Sequence, residues 1–396
     1  MKILKNIKTL YTASHKDSFK LIRIQNAALV WDKYSILWVG EEADIPLQYT
    51  DATLVDAQNR IVIPGLIDCH THLAFAGNRW TETTLKIQGK SYLEIAESGG
   101  GIRSTVAATR EASLEELEEE AQKRIDLCKK RGITTIECKS GYGLNLETEL
   151  KLLRVYRHLA VKNQDIRFFS TLLAAHTIPL EYQNNRRGYI DLIKNEIITK
   201  VASENLAVFF DIFVENGAFS FDEAMELGDV AKRYGFKIKL HIDQLSHQRG
   251  AELSLKLTAV SADHLEHILE DDFNMMKQAG TVAVSLPTAT AYLNRPVLPA
   301  RKLLDARIPV AVATDFNPGS APVFDLLYAM NLAVTLQRMT ADEVLLGVTT
   351  HAAKALSLHD AGKIQTGYKP EFLLLAVDSI EEWIYGFRSE IVPERI

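Results

Sequence analysis

Cysteine is scarce: Cys69, Cys128 and Cys138 are the three in 396 residues. Their number is odd and their spacing matches no zinc knuckle. A disulfide framework is therefore excluded, and a reducing, cytoplasmic setting is expected. Long apolar runs are missing as well. A typical strong one, Phe372 to Val377, is far short of the ~18–20 residues that span a bilayer. Charge of one sign is not concentrated. Lys and Arg number 45 against 51 Asp and Glu, for a net charge of −6, which favours solubility and gives no basic field for nucleic acid. Met1–Leu10 holds Lys2, Lys5 and Lys8 but no following apolar core, so no secretory leader is expected. Low-complexity tracts and internal repeats are also lacking.

The composition, 47% apolar and 24% charged, is that of an ordinary globular protein. At about 150 residues per domain, the length accommodates one large barrel and a satellite. Residues 1–62 read as strand-rich, with Leu21–Ile24, Ile36–Gly40 and the stretch from Leu54 to Ile63 broken by Asn26, Asp32 and Asp56 to Asn59. From 63 to 358 short β-branched runs alternate with helical patterns. Strands are expected at Ile67–Leu73, Ile133–Lys139, Arg167–Ala175, Val208–Phe213, Lys237–Ile242, Ala259–Asp263, Thr281–Leu286 and Pro309–Thr314. Ser113 and Glu116 form a capping-box signature before a helix whose Leu114, Leu117, Ala121, Ile125 and Cys128 make one apolar stripe. Such alternation predicts an α/β protein with a closed (β/α)8 TIM-like barrel. Residues 359–396 return to strand and turn, and are expected to complete a small β-sandwich domain with the amino-terminal segment.

Polar residues cluster where strands end. In an extended segment residues two apart share a side, so His70 and His72 offer two imidazoles in one direction, as a divalent metal requires. They lie at the carboxyl end of a strand, where barrel active sites sit. His176, His241 and His264 have the same address. Packing does not account for four such strand ends when the chain holds eleven histidines, because barrel interiors are normally filled by Val, Ile and Leu. The last strand runs into Asp315. A carboxylate buried there alone is costly. An ion removes the cost, with the carboxylate either binding it or taking a proton from its water; the alternative is a helix cap through Asn317-Pro318-Gly319-Ser320. The most coherent set is His70, His72, His241 and Asp315 around one ion, which suits zinc and also accommodates iron. A two-metal arrangement through Lys139 or Cys138 competes. Lys139 needs carbamylation to ligate and is expected instead to form a salt bridge or orient a loop, while Cys138 points the opposite way.

These residues stand in the segments His70-Thr71-His72-Leu73-Ala74-Phe75-Ala76-Gly77-Asn78-Arg79, Gly99-Gly100-Gly101-Ile102-Arg103-Ser104, Lys139-Ser140-Gly141-Tyr142-Gly143, Ala174-Ala175-His176, His241-Ile242-Asp243-Gln244-Leu245, Asp263-His264-Leu265-Glu266-His267 and Thr314-Asp315-Phe316-Asn317-Pro318-Gly319-Ser320. Nearly the whole chain resembles the amidohydrolase superfamily and, within it, the ring-opening hydrolases of histidine degradation. The resemblance implies His70, His72, His241 and Asp315 as ligands of one zinc or iron ion, and Asp315 and His264 as catalytic residues. It implies a substrate shell of Arg79, Tyr142, His176, Gln244, Asn317, Gly319 and Ser320. The implied reaction is hydrolysis of 4-imidazolone-5-propanoate to N-formimidoyl-L-glutamate by a cytoplasmic homodimer. Arg79 is the natural fork for the anionic tail, with Tyr142 adding a hydroxyl.

Two positions depart from the family pattern. Val214 stands where similar proteins often carry cysteine, so no catalytic thiol is required there. Gln244 cannot act as a general base, so proton transfer must rest on Asp315, His264 or His176. A deaminase acting on a nucleobase would use the same ligands. A non-enzymatic metal-binding barrel is disfavoured by the cost of burying so many converging polar groups.

Overall fold

The computed structural model describes residues 1–90 and 100–396; Gly99, first of the glycine run, lies outside them. Five strands open the chain: β1 (Lys2–Ala13), β2 (Leu21–Trp31), β3 (Ile36–Glu41), β4 (Thr53–Asp56) and β5 (Ile61–Pro64). Eight follow: β6 (Leu66–Asp68), β7 (Ile133–Lys139), β8 (Arg167–Ala175), β9 (Phe209–Val214), β10 (Lys237–Ile242), β11 (Ser261–His264), β12 (Val282–Ser285) and β13 (Val310–Val312). Two close it: β14 (Phe372–Leu375) and β15 (Glu394–Arg395).

Strands β6 to β13 pair in chain order, all parallel. The ring closes beyond β6 and β13. Thr71 bridges Phe316 in parallel, the His72 amide donates to Phe316 O (2.8 Å), and the Asp315 amide donates to His70 O (3.1 Å). The seam of the TIM barrel thus lies within the segments His70–His72 and Asp315–Phe316. The terminal strands make a separate sheet of order β15-β14-β5-β1-β2-β3, with β4 also on β1. It buries Leu4, Leu10, Leu29, Ile36, Val62 and Leu374, and packs Trp31 edge-on against Phe372 at 5.2 Å between centroids. This is the flanking β-sandwich built from both chain ends.

Local signals explain much of the element placement. The helix Leu114–Lys130 starts at a complete Ser113–Glu116 capping box and buries Leu117, Ala121, Ile125 and Cys128. Five elements that differ from expectation bear on the site or its frame. β1 is a full strand despite its lysines, which alternate with buried Ile3, Leu4 and Ile7. The helices Pro287–Leu293, Ala300–Asp305 and Ala341–Gly347 were not legible as such. β6 stops at Asp68, so His70 and His72 sit on an extended continuation rather than inside a strand.

The barrel interior is not wholly apolar. Glu137, Lys139, Thr171, Asp211, Lys239, Ser261 and Asp263 point into it and are each 0% exposed, beside an apolar cluster that includes Ile67, Phe209, Val282, Val284 and Ala311. Strand alternation sends their neighbours Ile136, Cys138, Phe210, Ile212, Ile238, Leu240 and Ala262 outward into the shell beneath the helices.

Candidate active site

Three imidazoles meet at the carboxyl mouth of the barrel. One nitrogen from each of His70, His72 and His241 lies within 4.8 Å of the others, and all three residues are buried. Asp315 Oδ1 stands 3.3 Å from His70 Nε2 and 3.4 Å from His72 Nε2. Tetrahedral ligands at about 2.0–2.1 Å from an ion sit about 3.4 Å apart, which matches the separation of Asp315 from His70 and from His72. Among the described residues, His70 Nε2 and His241 Nε2 are buried without a hydrogen-bond partner. Orphaned lone pairs of this kind are what a bound cation would satisfy, so the donor set fits a single divalent metal. Burial pushes His70 down to about 3 and His72 to about 4, leaving both neutral and able to ligate. Burial alone would raise Asp315, but the adjoining His70 and His72 rings outweigh that and hold the carboxylate well below its usual range.

Behind the ligands lies a layer of buried charge. His70 Nδ1 is 2.6 Å from Asp263 Oδ2, and His241 Nδ1 is 3.0 Å from Asp211 Oδ2. Such partners fix the ring orientation and tautomer of a metal-binding histidine. Lys139 Nζ contacts Glu137 Oε1 at 2.9 Å and Asp211 Oδ2 at 2.8 Å. It makes the salt bridge expected of it and is no metal ligand. Burial would lower this ammonium, but the charges of Asp211, Glu137 and Asp263 raise it above its usual value.

The helix-cap alternative for Asp315 is set aside, because the helix Leu326–Gln337 is capped by Asp325. Asp315 (φ 56°) and His264 (φ 83°) both adopt the left-handed backbone that is costly for side-chain-bearing residues, and that costs least to keep where surrounding structure fixes it.

The cleft above this centre is lined by Arg79, Tyr142, His176, Gln244, His264, Asn317, Gly319 and Ser320, together with His72, His241 and Asp315. His70 lies deeper. His176 Nδ1 is 2.9 Å from Gly141 O, and its ring stacks on His72 at 5.4 Å and 21°. The Asn317 side chain accepts from the Gly319 and Ser320 amides at 2.8 Å each, so it shapes the turn that presents them. Arg79 is not an open fork. Its Nε and Nη2 are held by Glu82 at 2.9–3.0 Å, and Glu82 also accepts from the Gly101 amide at 2.7 Å. A Cβ at Gly319 would lie 2.0 Å from Arg79 Nη1, so only glycine lets this guanidinium pass.

Several residues at the site were not read from the sequence. Phe213, Leu245, Leu293 and Arg295 line the cleft. Glu215 accepts from the Leu245 amide (2.9 Å) and the Ser246 amide (3.1 Å), bracing the loop that carries Gln244. Asp211 and Asp263 had a signal: each is a carboxylate on the inward parity of an apolar strand, Asp211 level with Lys239 and Asp263 level with His241.

Residues 61–392 match the Amidohydrolase family model. The chain is similar to the imidazolonepropionase of Shewanella piezotolerans, 44% identical over 92% of this chain and 90% of that protein. It is also similar to the imidazolonepropionase of Caldanaerobacter subterraneus, 39% identical over 97% and 94%. Among solved structures it superposes on a guanine deaminase from C. acetobutylicum with a TM-score of 0.73 at 17% identity, covering 100% of this chain and 98% of that one. That likeness is one of fold. The barrel, the buried histidine triad and these relatives together place the chain in the amidohydrolase family, among the imidazolonepropionases.

Proposed function

We propose that this protein hydrolyses the cyclic amide of 4-imidazolone-5-propanoate to N-formimidoyl-L-glutamate, a step of histidine degradation. The observation that carries the reading is the meeting of His70, His72 and His241 within 4.8 Å, with the Asp315 carboxylate 3.3 and 3.4 Å from two of them. A zinc or iron ion held there supplies a Lewis acid and acidifies its water.

The chain's own groups account for the rest. Asp315 is ionised and accepts a proton from the attacking water, then delivers it to the ring nitrogen as the C–N bond breaks. The water oxygen joins the carbonyl carbon, and the new carboxyl group ionises. His264 Nδ1 faces Glu266 Oε1 at 3.5 Å, which turns its other nitrogen toward the oxyanion that forms. Tyr142, His176, Gln244 and the Gly319–Ser320 turn orient the ring, and Arg79 contributes donors to the tail. Gln244 carries no base, in keeping with a single proton carrier. On this reading the barrel, residues 63–358, holds all of the chemistry, and segments 1–62 and 359–396 support it.

The protein is further proposed to act as a cytoplasmic homodimer. Its three thiols are unpaired and buried, as suits a reducing compartment. Among the described residues no helix is long and apolar enough to cross a membrane.

The test follows loss of imidazolone absorbance and appearance of N-formimidoylglutamate with the metal-loaded protein, beside ammonia release from nucleobases. Ring opening is expected and ammonia is not. Ammonia from a nucleobase with the imidazolone untouched would overturn the reading in favour of a deaminase.

A further inference from the structure

Among the described residues, two cationic side chains line the cleft, Arg79 and Arg295. They differ in how their charge is balanced. Arg79 is 9% exposed and Glu82 5%, and the carboxylate meets the guanidinium at 2.9–3.0 Å through both of its oxygens. A dry pair at that distance largely cancels its own field. Arg79 therefore brings directed donors to the cleft but little net charge.

Among the described residues Arg295 has no such neighbour. It follows the helix Pro287–Leu293, whose end is turned by Asn294 at φ 49°. The Arg295 amide donates to Thr290 O at 3.1 Å, and Pro296 comes next. The backbone is thus held while the side chain is exposed at the mouth. Among the described residues its guanidinium has no ion pair or hydrogen bond. Among the described residues the one carboxylate lining the cleft, Asp315, is turned to His70 and His72.

We propose that Arg295 is a specificity-determining residue that recognises the anionic tail of the substrate from the rim of the cleft. The assignment rests on the cyclic-amide reading above and adds a second, uncancelled cation to the tail site. An anion approaching the mouth meets Arg295 as its uncompensated positive charge, and guanidinium geometry suits a carboxylate. Because the residue is exposed, its pull is screened by salt.

The experiment compares wild type, Arg295→Gln and Arg295→Lys on imidazolonepropanoate and on its neutral tail carboxamide, at low and high salt. Metal content and thermal unfolding establish that the variants are folded and loaded. Arg295→Gln is expected to raise KM for the acid about tenfold, as loss of a charge-steered contact does, with kcat little changed. The carboxamide should show no such effect, and Arg295→Lys should retain most of the acid preference. The salt dependence of kcat/KM for the acid should shrink in Arg295→Gln. Wild-type turnover with the same KM and acid-over-amide preference in Arg295→Gln would overturn this assignment alone. A wild type that opens neither compound would overturn the cyclic-amide reading, and this assignment with it.

Discussion

Lys139 Nζ lies 2.8 Å from Asp211 Oδ2, and that same oxygen lies 3.0 Å from His241 Nδ1. The ammonium also stands 3.7 Å from Asp263 Oδ2, the atom that holds His70. One buried cation thus backs two of the three metal-binding imidazoles. Removing a partner from a buried ion pair is costly because the charges left behind have no water. Lys139→Met should therefore lower the stability of the metal-free protein by about 3–5 kcal/mol. It should also weaken metal binding, read by competition with a chelator. Unchanged unfolding and unchanged metal affinity would show that the ammonium does not hold these carboxylates in place.

Asp263→Asn isolates the orienting role. The side-chain shape is kept, but the charge that His70 Nδ1 faces at 2.6 Å is gone. Loss of such a partner costs roughly 10–100-fold in metal affinity. Dialysis against graded chelator, with elemental analysis of what remains bound, measures it. Retention equal to wild type would mean that the ring is fixed by packing alone.

Gly319→Ala tests the passage of Arg79. The added methyl would sit 2.0 Å from Nη1, and the guanidinium cannot retreat freely while Glu82 grips Nε and Nη2. The turn or the Arg79–Glu82 pair must shift. A misplacement of about 1 Å near a reacting group costs on the order of 100-fold, so kcat/KM should fall steeply while metal content stays at the wild-type level. Steady-state kinetics on the imidazolone with parallel metal analysis checks this; kinetics equal to wild type would mean that Arg79 has room to spare.

How much of this was legible in the sequence depends on the kind of signal. The helix Leu114–Lys130 was, because its capping box and apolar stripe are local. β7, β8 and β10 were, because β-branched runs between helices define a parallel strand. The four proposed ligands were visible as polar residues closing apolar strands. The charge layer beneath them was not. Alternation says that Asp211, Lys239 and Asp263 face inward, but not that both carboxylates reach Lys139 or that Lys239 reaches Asp263. Glu82 stands three residues after Arg79, a spacing open to a pair, yet nothing local says that the pair is buried. Arg295 was missed with the helix before it, although Pro287 at the helix start was a readable signal.

His351 lies away from the metal centre and gives the clearest pH dependence. It is 1% exposed, with Nδ1 3.0 Å from Val310 O and Nε2 3.1 Å from Ser18 O. A neutral ring donates to one carbonyl only, and a protonated ring would donate to both. Burial prevails and pushes the group down to about 4, against an unfolded value of about 6.5. Between those values the unfolded chain binds the extra proton and the folded one does not. The contribution is therefore fully present above about pH 6.5 and is lost as pH falls toward 4, at up to about 1.4 kcal/mol per pH unit. His351→Gln removes this titration. Unfolding free energies of the metal-free wild type and variant, measured from pH 7.5 down to 4.5, should run parallel above pH 6.5 and then diverge, with the wild type falling more steeply. Curves that stay parallel throughout would mean that the ring titrates alike in the folded and unfolded chain. Since the two carbonyls belong to β13 of the barrel at Val310 and to the β1–β2 connection of the satellite at Ser18, the steeper acid loss should appear first as opening of the seam between them. Amide exchange along β1 and β2 would report that opening before the barrel strands respond.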